Sequence, residues 1–194
     1  MGTFTTCLFY MRTIIISQPK AGTYLCANLL KEFGLTQLPM HLSEWRYEIY
    51  QNKKLYRRIQ KPFLESIKRI KDNQFAVTHI SATTEFYEGL RDFKKIIVLR
   101  PYKERLESWK RWHKGETNAR KIKSHEAVWN AHNGKNHWAR QKGCFVIEFK
   151  DLKDCNVNKI DLMQRYLFGR IHYDSKECIV SALEKDSLTK FPKK

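Results

Sequence analysis

The chain has 194 residues, 42% of them hydrophobic, which is enough for one folded domain and too much for a disordered segment. Lysine and arginine total 37 against 20 aspartates and glutamates, and the formal net charge of +17 points to anionic partners: nucleotides, acidic glycans, nucleic acids or acidic membranes. The five cysteines are odd in number and contain no C-x-x-C pair, so neither a disulfide framework nor a zinc knuckle is indicated, and reduced thiols in the cytoplasm are expected.

No apolar run is long enough to span a bilayer, and the first residues lack a signal-peptide layout. Gly2 to Thr6 fits the loose acylation pattern M-G-x-x-x-[ST], which is short enough to arise by coincidence. Residues 1–12 form an apolar lead-in with the character of an extra edge strand. Thr13-Ile14-Ile15-Ile16 is β-branched throughout, as a central parallel strand should be. Gln18-Pro19-Lys20-Ala21-Gly22-Thr23 is turn chemistry, after which Leu25, Leu29, Leu30 and Phe33 recur at helical spacing. A loop that brings backbone N–H groups and a lysine to a helix N-terminus suits an anion, although an ordinary strand-to-helix connection has the same outline. It is not a Walker A motif, because Lys20 precedes Gly22, the only glycine in the loop.

Residues 35–60 mix Pro39, His41, Glu44, Trp45 and Glu48 with several tyrosines, and suggest irregular structure or short helices beside the site. Pro62 suits a helix start, with Phe63, Ile67 and Ile70 on one face. Phe75 to Ile80 is a second strand with His79 near its C-terminal end, where open parallel sheets gather ligands. Thr83 to Leu90 follows as a short helix. Lys95 to Arg100 is a third strand, and Pro101 opens a helix carrying Leu106, Trp109 and Trp112. Residues 114–123 look like a basic loop, and 124–141 like a helix around Trp129 and Trp138. Cys144 to Phe149 is a fourth strand, and 159–168 and 176–183 are closing helices. Alternating strands and helices predict a single α/β domain with a mostly parallel sheet of four to five strands and helices on both faces.

The order P-K-x-G-T after a strand resembles the 5′-phosphosulfate loop of the sulfotransferase family. Arg100, ending a strand, with Ser108 eight positions later, is similar to the pair that holds the donor's 3′-phosphate in that family. Thr78-His79-Ile80 looks like the T-H-[LI] segment that carries the base of the soluble members. Phe145 to Lys153 and Lys159 to Gly169 are similar to a later strand and helix, so the resemblance runs from about Thr13 to Gly169.

The resemblance implies a P-loop-like fold and an enzyme using 3′-phosphoadenosine 5′-phosphosulfate (PAPS), with adenosine 3′,5′-bisphosphate (PAP) as product and no metal. Lys20 and the N–H groups of Ala21, Gly22, Thr23 and Tyr24 would hold the 5′-phosphosulfate, and Arg100 and Ser108 the 3′-phosphate. His79 would be the general base, in preference to Glu44 and Glu48, which lie where carbohydrate-type relatives place a catalytic glutamate. The acceptor would be a hydroxyl or amine of an unidentified small molecule or carbohydrate, an anionic one fitting the charge; nucleic acid is not expected.

The chain also departs from the family pattern. Val77 stands where soluble members carry a lysine, Tyr24 replaces the second loop threonine, and Leu25 replaces an aromatic near the adenine. The R-K-G…G-x-x-x-K segment is absent. A degenerate, non-catalytic member, a basic nucleotide- or nucleic-acid-binding protein and, less well supported for want of the Walker lysine, a P-loop kinase are the alternatives.

Overall fold

The β-branched stretch at the start of the chain becomes the sheet's central strand because both of its edges find parallel partners. In the computed structural model, which describes residues 11–43, 46–51, 54–112 and 137–189, β1 (Arg12–Ser17) lies between β5 (Gln74–Thr78) and β6 (Phe93–Leu99). Ile15 pairs with Val77 on one side and Ile96 on the other. β2 (Thr36–Leu42) adds parallel to β5, and β7 (Cys144–Glu148) parallel to β6. The result is a five-stranded all-parallel sheet, as expected.

The stretch 35–60 departs from the irregular or short-helical structure expected of it. It supplies β2 and then an antiparallel hairpin, β3 (Arg46–Gln51) and β4 (Lys54–Gln60), which extends the sheet to the order β4-β3-β2-β5-β1-β6-β7. Pro39 sits inside β2, where the register against β5 shifts between Gln37 and His41; a proline cannot donate to the ladder, and the irregularity broke the alternating pattern.

Because helices cover both faces, the successive residues Thr13 to Ser17 of β1 are all buried. Ile15, with Val77, Ile96, Val98 and Ile147, packs under α1 (Thr23–Glu32), α6 (Val157–Phe168) and α7 (Ser175–Thr189). Ile14 and Ile16 face the other way, with Ala76, Ile97, Trp138 and Phe63 and Ile67 of α2 (Phe63–Ile67). Each such aliphatic side chain contributes about 1.5–3 kcal/mol on burial. α3 (Thr84–Gly89) adds Phe86 to this second core, and α4 (Tyr102–Trp112) follows β6.

The fourth strand stops at Glu148 rather than Phe149. Asp151 Oδ2 accepts from the Glu148 N–H (3.1 Å) in a capping box, and Phe149 opens a short helix, α5 (Phe149–Lys153). The last helix runs from Ser175 to Thr189, beyond the expected 176–183. The basic loop expected at 114–123 and most of the helix expected at 124–141 lie outside the described residues; within that span, Trp138–Arg140 forms a 3-10 turn.

The strand order places the C-terminal ends of β5, β1, β6 and β7 side by side. The chain leaves β1 in one direction toward β2 and β5, and returns on the other side to β6, so the crevice above β1 is a topological switch point.

Candidate functional site

Between Ser17 and α1 the chain must reverse within residues 18–22. The Ala21 N–H donates to Gln18 O (3.1 Å), and Lys20 and Gly22 take the left-handed conformation, at φ 65° and 101°. For a lysine that conformation costs on the order of 1–3 kcal/mol and persists only where neighbours enforce it. Arg100, just past β6, donates from Nη1 to Lys20 O (3.2 Å), and Arg105 of α4 donates from Nη1 to Pro19 O (3.5 Å). Two arginines of one strand–helix segment thus hold consecutive carbonyls of the loop.

Gly22 answers to a second constraint. A Cβ at this position would lie 2.3 Å from Cδ2 of Phe149, so neither the backbone conformation nor the space admits a side chain. The same phenyl ring lies under the Arg100 guanidinium, 4.1 Å from Cζ to ring centroid. Arg100 also pairs with Glu104 one turn on (3.3 Å). Phe149 therefore fits the loop glycine and the strand-end arginine to each other.

The loop runs into α1, whose cap residue Gly22 offers no side chain, so the first-turn N–H groups lack intrahelical acceptors and the positive end of the helix dipole faces the loop. The Ala21 N–H does not join this set. It donates to Gln18 O in closing the turn. Tyr24 is 61% exposed beside this terminus. Burial lowers the Lys20 ammonium from its ordinary value to about 8.

His79 follows directly on β5. Its Nδ1 lies 2.6 Å from Ser17 O and 3.3 Å from Ser17 Oγ. A carbonyl oxygen only accepts, so Nδ1 carries the hydrogen and the lone pair resides on Nε2. Ser17 Oγ is itself 2.5 Å from Thr23 Oγ1 in a buried contact, which turns the Thr23 hydroxyl inward. Thr78 Oγ1 donates to Leu42 O (3.0 Å), tying the end of β5 to the end of β2. His41 of β2 thereby reaches His79 edge-on, with ring centroids 4.5 Å apart.

The remaining expected residues are placed less tightly. Ser108 is half-buried two turns into α4. Glu44 lies outside the described residues, and Glu48 is on β3 in register with His41. A cavity of about 10 Å³, room for one water, lies in the crevice between Ser17, Gln18, Ile80, Leu99, His137 and Trp138. Trp138 forms its wall by donating from Nε1 to Ile80 O (3.0 Å). Cys26, fully buried in α1, has its thiol pushed up to about 12 by burial and is inert. Among the described residues no group of three His, Cys, Asp or Glu side chains is disposed to hold a metal ion, and no helix is long and apolar enough to cross a membrane.

Sequence reasoning passed over Ser17, His41, Arg105 and Phe149 as parts of this site. For Arg105 a signal existed: Tyr102, Arg105, Trp109 and Trp112 share one helical stripe, and a charge among aromatics is out of place on a solvent face. Ser17, His41 and Phe149 matter only because separate strand ends meet, which spacing along the chain cannot reveal.

No protein-family profile matches the chain, and no curated protein matches it in sequence. Its fold does have a counterpart among solved structures. The mouse sulfotransferase SULT7A1 complexed with PAP superposes with a TM-score of 0.55 at 18% identity, over 94% of this chain and 67% of that one. The protein is thus a single α/β domain with the P-loop-like fold of a sulfotransferase.

Proposed function

We propose that the protein is a PAPS-dependent sulfotransferase that moves a sulfuryl group to a hydroxyl or amine of an acceptor. One observation carries this above the others: residues from the ends of β5 and β6 meet where β1 gives way to the Lys20 loop, His79 closing on the last carbonyl of β1, Ser17 O, and Arg100 on the loop carbonyl Lys20 O. The fold likeness to a sulfotransferase solved with PAP supports it independently.

In this scheme the acceptor oxygen attacks the donor sulfur while His79 Nε2 takes its proton, and the bond from sulfur to the 5′-phosphate oxygen breaks. The leaving phosphate gains negative charge, which Lys20 and the N–H groups opening α1 stabilise. The Ser17 carbonyl holds His79 in the tautomer that can accept at Nε2. Arg100 and Ser108 take the 3′-phosphate and fix the donor's register. Arg100 serves the loop and the phosphate at once, since only one of its nitrogens is needed at Lys20 O. We place the reaction in the cytoplasm, where the unpaired Cys26, Cys144, Cys155 and Cys178 would remain reduced.

Glu48, in register with His41, keeps a carboxylate base in competition. Transfer of labelled sulfate from PAPS, with a panel of small-molecule hydroxyls, amines and glycans as acceptors, tests the assignment. His79→Ala should lower the rate by roughly 10²–10⁴ with PAP affinity unchanged. Retained activity there, with loss in Glu48→Ala or Glu44→Ala, would transfer the role of base. Stabilisation by ATP and magnesium but not by PAP would point to a kinase instead.

A further inference from the structure

Arg105 is the largest fully buried side chain of the molecule's described residues, at 0% exposure, and it has no place in the scheme above. A buried guanidinium ordinarily survives by pairing with a carboxylate and satisfying its five donors. Arg105 does neither. Among the described residues no carboxylate pairs with it and its Nε and Nη2 have no hydrogen-bond partner, while Nη1 reaches Pro19 O only at 3.5 Å, the outer limit of a hydrogen bond. Arg100, five residues earlier, has both an acidic partner in Glu104 and a shorter bond to the loop. Burial draws the Arg105 guanidinium down to about 10, so it remains charged at neutral pH.

Such a residue works against the fold. An uncompensated buried charge is destabilising, and an apolar side chain of similar volume would fill the same space on the Tyr102–Trp109 stripe without that cost. Its position explains what it does. It lies beneath the loop, against the carbonyl of the residue before Lys20. We propose that Arg105 is a positioning residue of the donor site, given the assignment of the loop to a phosphate: its unneutralised charge and its hold on Pro19 O preset the loop for an anion. A buried charge is screened less than one in solvent, and a fixed one needs no reorganisation when the anion arrives. The ligand class is a phosphate-bearing nucleotide, and what Arg105 supplies is affinity rather than chemistry.

The test uses Arg105→Met, Arg105→Lys and the wild-type chain, with PAP and pyrophosphate as probes in calorimetry at fixed salt and thermal unfolding without ligand. Arg105→Met should weaken PAP binding by roughly tenfold or more, while its unliganded Tm is equal to or above that of the wild type. Arg105→Lys keeps the charge and should restore most of the lost affinity. Unchanged affinity in Arg105→Met overturns the proposal. So does a Tm lowered by several degrees, or a variant too unstable to purify, because either makes Arg105 a structural strut. If the wild type binds pyrophosphate but not PAP, and Arg105→Met loses pyrophosphate binding, the role of Arg105 stands while the sulfate-donor assignment falls. Binding of neither probe by the wild type sinks both.

Discussion

The two ends of the parallel sheet treat buried polar groups in opposite ways. At the N-terminal end Lys95 of β6 is buried, yet its ammonium donates to Leu90 O (2.9 Å) and Phe93 O (3.0 Å). The Tyr166 hydroxyl accepts from the Lys95 N–H (2.8 Å) and donates to Gly143 O (2.9 Å). Gln164, fully buried where α6 meets α7, uses both ends of its amide: Nε2 donates to Tyr173 O and Ser175 Oγ, and Oε1 accepts from the N–H groups of His172 and Tyr173. At the C-terminal end Arg105 is as buried and barely bonded, Gln18 Nε2 has no partner among the described residues, and Lys20 adopts a left-handed backbone. There are exceptions at the first end: Thr13 Oγ1 is an unpartnered hydroxyl inside β1, and Asn73, just before β5, is also left-handed at φ 58°. The buried lysine and glutamine of the support end are satisfied, whereas the crevice end leaves buried donors unsatisfied among the described residues beside a left-handed lysine, which is the contrast a ligand site would need.

That contrast can be broken most forcefully at Gly22. Gly22→Ala forces a left-handed alanine against Phe149 and should cost about 2–4 kcal/mol, read from the midpoint of urea unfolding. Adding Phe149→Ala should recover the steric part and leave the backbone part. If Gly22→Ala is tolerated, the loop is not held as tightly as Phe149 and the two arginines require.

A smaller effect belongs to the other end. Lys95→Met removes donors from Leu90 O and Phe93 O and should cost about 1–3 kcal/mol, with PAP affinity unchanged. Set beside Arg105→Met, it makes a crossed pair: one buried cation serves stability and the other serves binding. Loss of PAP binding in Lys95→Met, with the protein still folded, would dissolve the distinction.

The smallest signal is a proton. Lys20 titrates at about 8 in the unliganded protein, so raising the pH through that value removes its charge. A bound phosphate favours the ammonium and lifts its pKa again. Binding of PAP at pH 8 should therefore take up about half a proton, and at pH 6 almost none from this group. Calorimetry in buffers of different ionisation heat reads the uptake. No uptake at pH 8 would mean that Lys20 does not meet the phosphate.

How much of this was legible in the chain follows from what each feature depends on. β1, the loop and α1 could be read because Ile14, Ile15 and Ile16 are buried on both faces and the loop's proline and glycine are local signals. Arg100 and His79 could be read as strand ends. The hairpin of β3 and β4 was obscured by its polar content and by Pro39 ahead of it, although Tyr47 and Ile49 do alternate with charged and polar neighbours. The hydrogen bond from His79 Nδ1 to Ser17 O joins residues 62 apart, and the fit of Phe149 against Gly22 joins the start of the helix after the last strand to the first turn. Both depend on parallel pairing across the sheet, which no local pattern encodes.

We propose that the loop after β1 binds a phosphosulfate donor through Lys20. Titration of PAP into the wild type and Lys20→Ala, with their unfolding midpoints measured alongside, tests it most directly. The expected result is tight binding by the wild type and affinity lower by roughly 10²-fold in a variant of unchanged stability, with sulfuryl transfer lost. Equal affinity in a folded Lys20→Ala protein would contradict it.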